Sequence, residues 1–159
     1  MIEVTLTPKE RKKALEIAHA RQTQNLAKGR KDRYGAKKTN GLSLHETGAM
    51  GEAALAKFCN IKWDGSLGNL KAKDVGNLQV RTRTKDEYKG EKSALILQPR
   101  DKDDDIFVMA IYEDDKAYLA GWIRAGDGKI PDNWKDYAWN RPAYFVPRDQ
   151  LNPMETLEY

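Results

Sequence analysis

The stretch DVGNLQVRTR, residues 74 to 83, combines an acid, a Gly-Asn pair and an alternating strand. A Gly-Asn loop at positions 76 and 77 is a two-residue hairpin signal. With that loop, Val75 faces Leu78 and Asp74 lies directly opposite Gln79, on the same face. Along the second strand Gln79, Arg81 and Arg83 point one way, and Leu78, Val80 and Thr82 the other. An acid and an amide oxygen are donors for a hard divalent cation, and a neighbouring guanidinium is a clamp for a phosphate.

A second candidate lies in GAMGEAALAKFC. The helical neighbours of Glu52 at three and four residues are Gly48, Ala49, Leu55 and Ala56, so the carboxylate is expected on a packing face. A buried carboxylate is expensive without a cation, a hydrogen-bond network or a metal beside it. The plain alternative places Glu52 near a helix end, partly in water. If the Glu52 helix packs beside the hairpin patch, two carboxylates, an amide oxygen and a guanidinium gather into an oxygen-rich Mg²⁺ (or Mn²⁺) site.

The elements that must position these groups follow from local pattern. Thr7, Pro8 and Glu10 read as N-cap, first helical position and capping-box acid. The apolar spacing then supports a helix to about Ala27, ending at Gly29. Residues 29 to 43 read as loop, and a second helix is expected from about His45 to Cys59. Short strands are expected near 61–63, 70–75 and 78–85. Stronger ones follow in ALILQP (94–99), DIFVMAIYE (105–113) and KAYLAGWIR (116–124), the last two forming a hairpin around Asp114-Asp115. AYFVP is a further short strand, and the tail RDQLNPMETLEY closes as a turn or short helix. Two helices and the strands of one sheet make an α+β arrangement. The organisation expected is a basic N-terminal helix and loop, residues 1–43, belonging to one unit with an α+β domain over 44–159.

Composition narrows the chemistry. The 159 residues carry one cysteine, Cys59, and two histidines, His19 and His45, which excludes an internal disulfide and argues against a zinc site. No apolar run approaches the length of a membrane span. The N-terminus lacks a signal-peptide core, so a cytoplasmic location is expected. Net charge is +4, but Lys9 to Lys38 alone hold eleven basic residues against three acids. That asymmetry points to a polyanion, nucleic acid first, with Arg11, Lys12, Lys13, Arg30, Lys31 and Arg33, together with Arg83 on the hairpin, as contacts.

A helix bearing Glu, then Asp on one strand and Gln79-Val80-Arg81 on the next, where the pattern has acid-x-Lys, resembles the PD-(D/E)XK, restriction-endonuclease-like nuclease superfamily. The chain is most similar to small phage-encoded members in Gly48 to Ala54, Asp74 to Thr82, and Asp101 to Ile123. The resemblance implies a restriction-endonuclease-like core, a mixed β-sheet flanked by helices, and Mg²⁺-dependent hydrolysis of phosphodiesters, in DNA ahead of RNA. It also implies a bacterial host cell as the setting. It makes Glu52 the helix acid and Asp74 the central metal ligand, with Gln79 at the second-acid position and Arg81 at the lysine position. Gln79 removes one negative charge from that pattern, and Arg81 cannot act as a base because it does not deprotonate at working pH. A catalytically inactive nucleic-acid- or protein-binding module on the same fold is therefore the alternative reading. A further alternative is a structural or interaction protein of a phage. Glu87-Tyr88-Lys89 is a rival acid-x-Lys register. His45, the acids Asp103 to Asp105, and Trp134 or Trp139 are lesser candidates for catalysis, metal binding and base contact.

Overall fold

The computed structural model describes residues 1–27, 41–65, 73–84, 94–136 and 140–159. Strand β1 (Ile2–Thr5) precedes helix α1 (Pro8–Ala27), which opens on the expected capping box. The Thr7 N–H donates to Glu10 Oε1 at 2.8 Å, and the Glu10 N–H donates to Thr7 Oγ1 at 3.1 Å. Helix α2 spans Gly41–Cys59. It starts at Gly41 instead of His45, because a glycine is tolerated at a helix end where it would be unfavourable in the interior.

Strands β2 (Leu78–Thr84), β4 (Ile106–Glu113) and β5 (Lys116–Arg124) join β1 in a four-stranded sheet of order β1-β5-β4-β2. The β1–β5 and β5–β4 pairs are antiparallel, and β2–β4 is parallel. Strands β3 (Ala94–Leu97), β7 (Ala143–Pro147) and β6 (Trp134–Lys135) form a second, antiparallel sheet of order β3-β7-β6. A single helical turn, α3 (Ala125–Gly128), follows β5.

The chain is thus α+β with a mixed sheet, but its strands divide between two sheets. Helices α1 and α2 cover one face of the four-stranded sheet, packing Ala14, Ile17, Ala18, Ala49, Ala53 and Ala54 against Leu78, Val80, Val108, Ala110 and Leu119. On the opposite face Phe107, Met109, Ile111 and Ile123 meet Leu95, Leu97 and Val146 of the second sheet. The reason lies in IFVMAIY, which has no polar alternation: a strand buried on both faces needs a layer on each.

Both expected hairpins form. Val75 and Leu78 exchange backbone hydrogen bonds around Gly76-Asn77, with Gly76 at φ +54°. Asp114 and Asp115 both adopt left-handed backbone, φ 49° and 63°, as a type I′ turn requires. Residues 61–63 form no strand, and the segment expected at 70–75 contributes only the Val75 bridge, with 70–72 outside the described residues.

Close approach of α2 to β2 depends on Gly51. A Cβ there would lie 1.9 Å from Thr82 Oγ1 and 3.0 Å from Thr82 Cβ. Gly51→Ala is expected to lower stability by about 1–3 kcal/mol, the usual result of forcing atoms into a packed interface. The Thr82 hydroxyl is buried without a hydrogen-bond partner, so Thr82→Ala in the same chain should recover part of the loss. Urea midpoints of wild type, Gly51→Ala and the double variant check both statements.

Candidate functional site

Helix α2 is almost wholly apolar along its packing face, and it takes Glu52 down with it: the residue is 7% exposed. The reading of Glu52 as a solvated helix-end acid is therefore wrong. Its partner comes from α1. Arg21 Nη1 donates to Glu52 Oε1 at 2.9 Å and Arg21 Nη2 to Oε2 at 2.8 Å, a two-pronged ion pair. Trp63 Nε1 adds a third hydrogen bond to Oε2 at 3.2 Å. Lys13 closes the network behind, donating to the Trp63 carbonyl and lying over the indole ring.

Arg21 escaped the sequence reading, although a signal exists. Ala14, Ile17 and Ala18 form the buried stripe of α1, and Arg21 continues it at the next turn. Each helix thus carries one charge on its apolar stripe, of opposite sign, and the stripes meet.

Asp74 stands at the mouth of the β2 hairpin. A continued ladder would pair the Val80 N–H with a backbone carbonyl. Instead it donates to Asp74 Oδ2 at 2.8 Å, so the side chain ends the hairpin after a single residue pair. The other oxygen, Oδ1, accepts no hydrogen bond among the described residues. Asp74 is half-buried.

Both acids are shifted, and the Asp74 charge is one cause of the shift at Glu52. Burial is the main cause pushing the Glu52 pKa above the ordinary carboxylate value; the Arg21 bonds pull it down and the nearby Asp74 charge pushes it up again. Burial likewise raises Asp74, opposed by the Val80 N–H and then by the charges of Arg81 and Arg21. Asp74 lies within electrostatic reach of both guanidinium groups, one on each side of the sheet.

Gln79, Arg81 and Arg83 do not join Glu52. The parallel register sets them beside Phe107, Met109 and Ile111, on the side of the second sheet, while Leu78 and Val80 face α2. An apolar helix seeks the apolar face of a strand, and that choice sends the polar face of β2 away from it. Arg81 instead pairs with Asp101, at 3.3 Å and 3.4 Å, and its guanidinium lies 4.8 Å from the Phe107 ring centroid. The convergence expected from the hairpin alone is corrected to a pair, Glu52 and Asp74, with Arg21 between the helices and Arg81 behind the sheet.

The remaining candidates are placed as follows. Asp101 also accepts the Gln98 N–H, Asp103 pairs with Lys129, and Asp105 pairs with Lys73 at 2.7 Å. Asp103 and Asp105 thus tie the segment before β4 to Lys129 after α3 and to Lys73 ahead of the β2 hairpin. Arg11 donates to the Leu6 carbonyl at 3.0 Å, whereas Lys12 is exposed. His45 is half-buried on α2. Trp134 is 41% exposed and packs tilted against Tyr144 at 4.8 Å. Arg30, Lys31, Arg33, the Glu87-Tyr88-Lys89 register and Trp139 lie outside the described residues.

Comparison with protein-family models, curated proteins and solved structures finds no match for this chain. The site must therefore be judged on its own chemistry.

Three carboxylates, Glu52, Asp74 and Asp101, stand against two guanidinium groups, Arg21 paired with Glu52 and Arg81 with Asp101, so among the described residues Asp74 has no ion-pair partner of its own and its Oδ1 accepts no hydrogen bond. That donor set suits a hard cation held by Asp74 and, secondarily, Glu52. Gln79 contributes nothing to it from the other face. Among the described residues no three His, Cys, Asp or Glu side chains cluster, so carbonyl, water or substrate oxygens would complete the shell. None of the helices formed by the described residues is long and apolar enough to cross a membrane.

Proposed function

We propose that this chain hydrolyses phosphodiester bonds in nucleic acid, DNA ahead of RNA, in a divalent-ion-dependent reaction centred on Asp74 and Glu52. The observation that carries the proposal is the pair itself: a buried helix acid held by Arg21 and a half-buried hairpin acid close enough to feel the same guanidinium without bonding it, each raised in pKa. Acids with pKa values perturbed by burial and specific charged neighbours cluster at functional sites. A binding surface for a polyanion has no use for surplus negative charge unless a cation intervenes.

In this reading Asp74 offers its open oxygen as ligand while the Val80 N–H fixes its orientation. Trp63 and Arg21 hold Glu52 in place. A bound Mg²⁺ or Mn²⁺ would supply Lewis-acid activation of the phosphate and of an attacking water. Lys12 on the exposed side of α1, with the basic sequence of residues 28–38, supplies attraction for the phosphate backbone. We also read helix α2 packed on the β2 hairpin as the counterpart of a restriction-endonuclease-like core.

One observation favours the inactive binding module: Arg81 and Gln79 are turned away, and the ion pair already satisfies Glu52. The two readings separate in one assay. Purified chain with Mg²⁺ or Mn²⁺ should cut single- or double-stranded DNA or RNA, and EDTA should stop it. No cutting of any of these with either ion, alongside retained oligonucleotide binding, would leave the binding module standing.

A further inference from the structure

We infer that Arg21 is the resting counter-ion of this site and sets its divalent-ion affinity, competing with the ion for Glu52. The inference rests on the reading of Asp74 and Glu52 as the ion-holding pair. In the pattern that the sequence resembles, the strand cation at position 81 would serve the site. Here Arg81 is committed to Asp101 and Phe107 on the opposite face. The cation that touches a site carboxylate comes from a different element altogether, α1, through two hydrogen bonds of 2.9 Å and 2.8 Å.

Competition follows from charge and geometry together. Arg21 and Glu52 side chains are 16% and 9% exposed, so water screens their attraction poorly. Both Glu52 oxygens are engaged by the fork, and Oε2 also takes the Trp63 N–H. A divalent ion approaching Glu52 meets a guanidinium already there, and the two positive charges repel at close range. Pairing with Arg21 and binding of the ion therefore oppose each other, and by linkage each weakens the other equally. Arg21 retains three N–H donors that bond nothing among the described residues. An arriving phosphate offers it a replacement partner. Ion and phosphate are thereby coupled: the phosphate draws the guanidinium off and leaves the carboxylate to the ion.

Mn²⁺ affinity, read as the free ion by electron paramagnetic resonance without nucleic acid, tests this. Arg21→Gln should tighten Mn²⁺ by about tenfold or more, a modest figure for removing one close, desolvated charge. Arg21→Lys, which keeps the charge but loses the fork, should fall between glutamine variant and wild type. Unchanged or weaker affinity in a folded Arg21→Gln chain would overturn the inference. If that variant does not fold, the lysine variant decides alone, and unchanged or weaker binding in it overturns the inference equally. A wild type without measurable Mn²⁺ affinity beside an Arg21→Gln chain that binds would support the inference, and the cleavage assay with nucleic acid present would then decide the enzyme reading. Absence of binding in wild type and both variants would overturn both.

Discussion

Asp74→Asn is expected to reduce ion-dependent cleavage by more than about a hundredfold, beyond the roughly 10–100-fold typical of residues that merely support a metal ligand. The substitution removes the charge and keeps an oxygen for the Val80 N–H, so the hairpin should persist. Oligonucleotide affinity should change little. Gln79→Glu, on the far side of the sheet, should alter neither property. The same Asp74→Asn chain should be more stable than wild type at neutral pH. The sign is set by the raised pKa of Asp74: its ionised form is disfavoured by folding, so its contribution is full below the ordinary carboxylate range and is lost as pH rises through the raised value. Asparagine has no such loss. Its advantage should appear at neutral pH and vanish in acid. Melting temperatures across that range and a cleavage assay measure both halves, and unimpaired cleavage by Asp74→Asn would remove Asp74 from the chemistry.

Arg21→Met should cost about 3–5 kcal/mol at neutral pH, the range for removing one partner of a buried ion pair. The loss comes chiefly from the carboxylate left behind. Glu52→Gln added to Arg21→Met should therefore restore most of it, and the double variant should be more stable than Arg21→Met alone. Acid should have the same effect as the second substitution, because Glu52 already titrates above its ordinary range and would rise further without Arg21. A chain in which Arg21→Met is nearly neutral, with no dependence on Glu52 or pH, would show that the pair does not hold α1 to α2. Denaturant melts at neutral and acid pH distinguish these outcomes.

Several parts of this architecture were legible before any coordinates. The capping box at Thr7, both hairpins and the burial of Glu52 depend on spacings of two to four residues, and short-range chemistry fixes them. Errors began where one element had to choose among faces. By spacing alone Asp74 is a ladder residue opposite Gln79, but its carboxylate turns back to accept the Val80 N–H, a choice that spacing does not reveal. Arg21 was counted with the basic residues of the N-terminal segment, yet its place on the stripe of Ala14, Ile17 and Ala18 marked it as inward-facing. Strand β1 alternates Ile2 and Val4, and Leu6 follows in step, but so short a segment has no local feature that announces a partner at Leu119. The second sheet was foreshadowed only by the doubly apolar β4.

The parallel pairing of β2 with β4 also governs how the chain assembles. Parallel neighbours cannot be joined by a tight turn, and the crossover here carries β3, which belongs to the other sheet. The chain between β2 and β4 thus supplies an edge strand of the second layer, so the two sheets are tied together by one continuous crossover. The N-terminal strand adds a still longer closure, Ile2 against Leu119. Such distant contacts demand loop entropy before they return any stabilisation, which makes this a slow topology for its size. The Glu52–Arg21 pair joins two helices consecutive in the chain, so its closure asks for far less loop entropy than either the Ile2–Leu119 contact or the crossover.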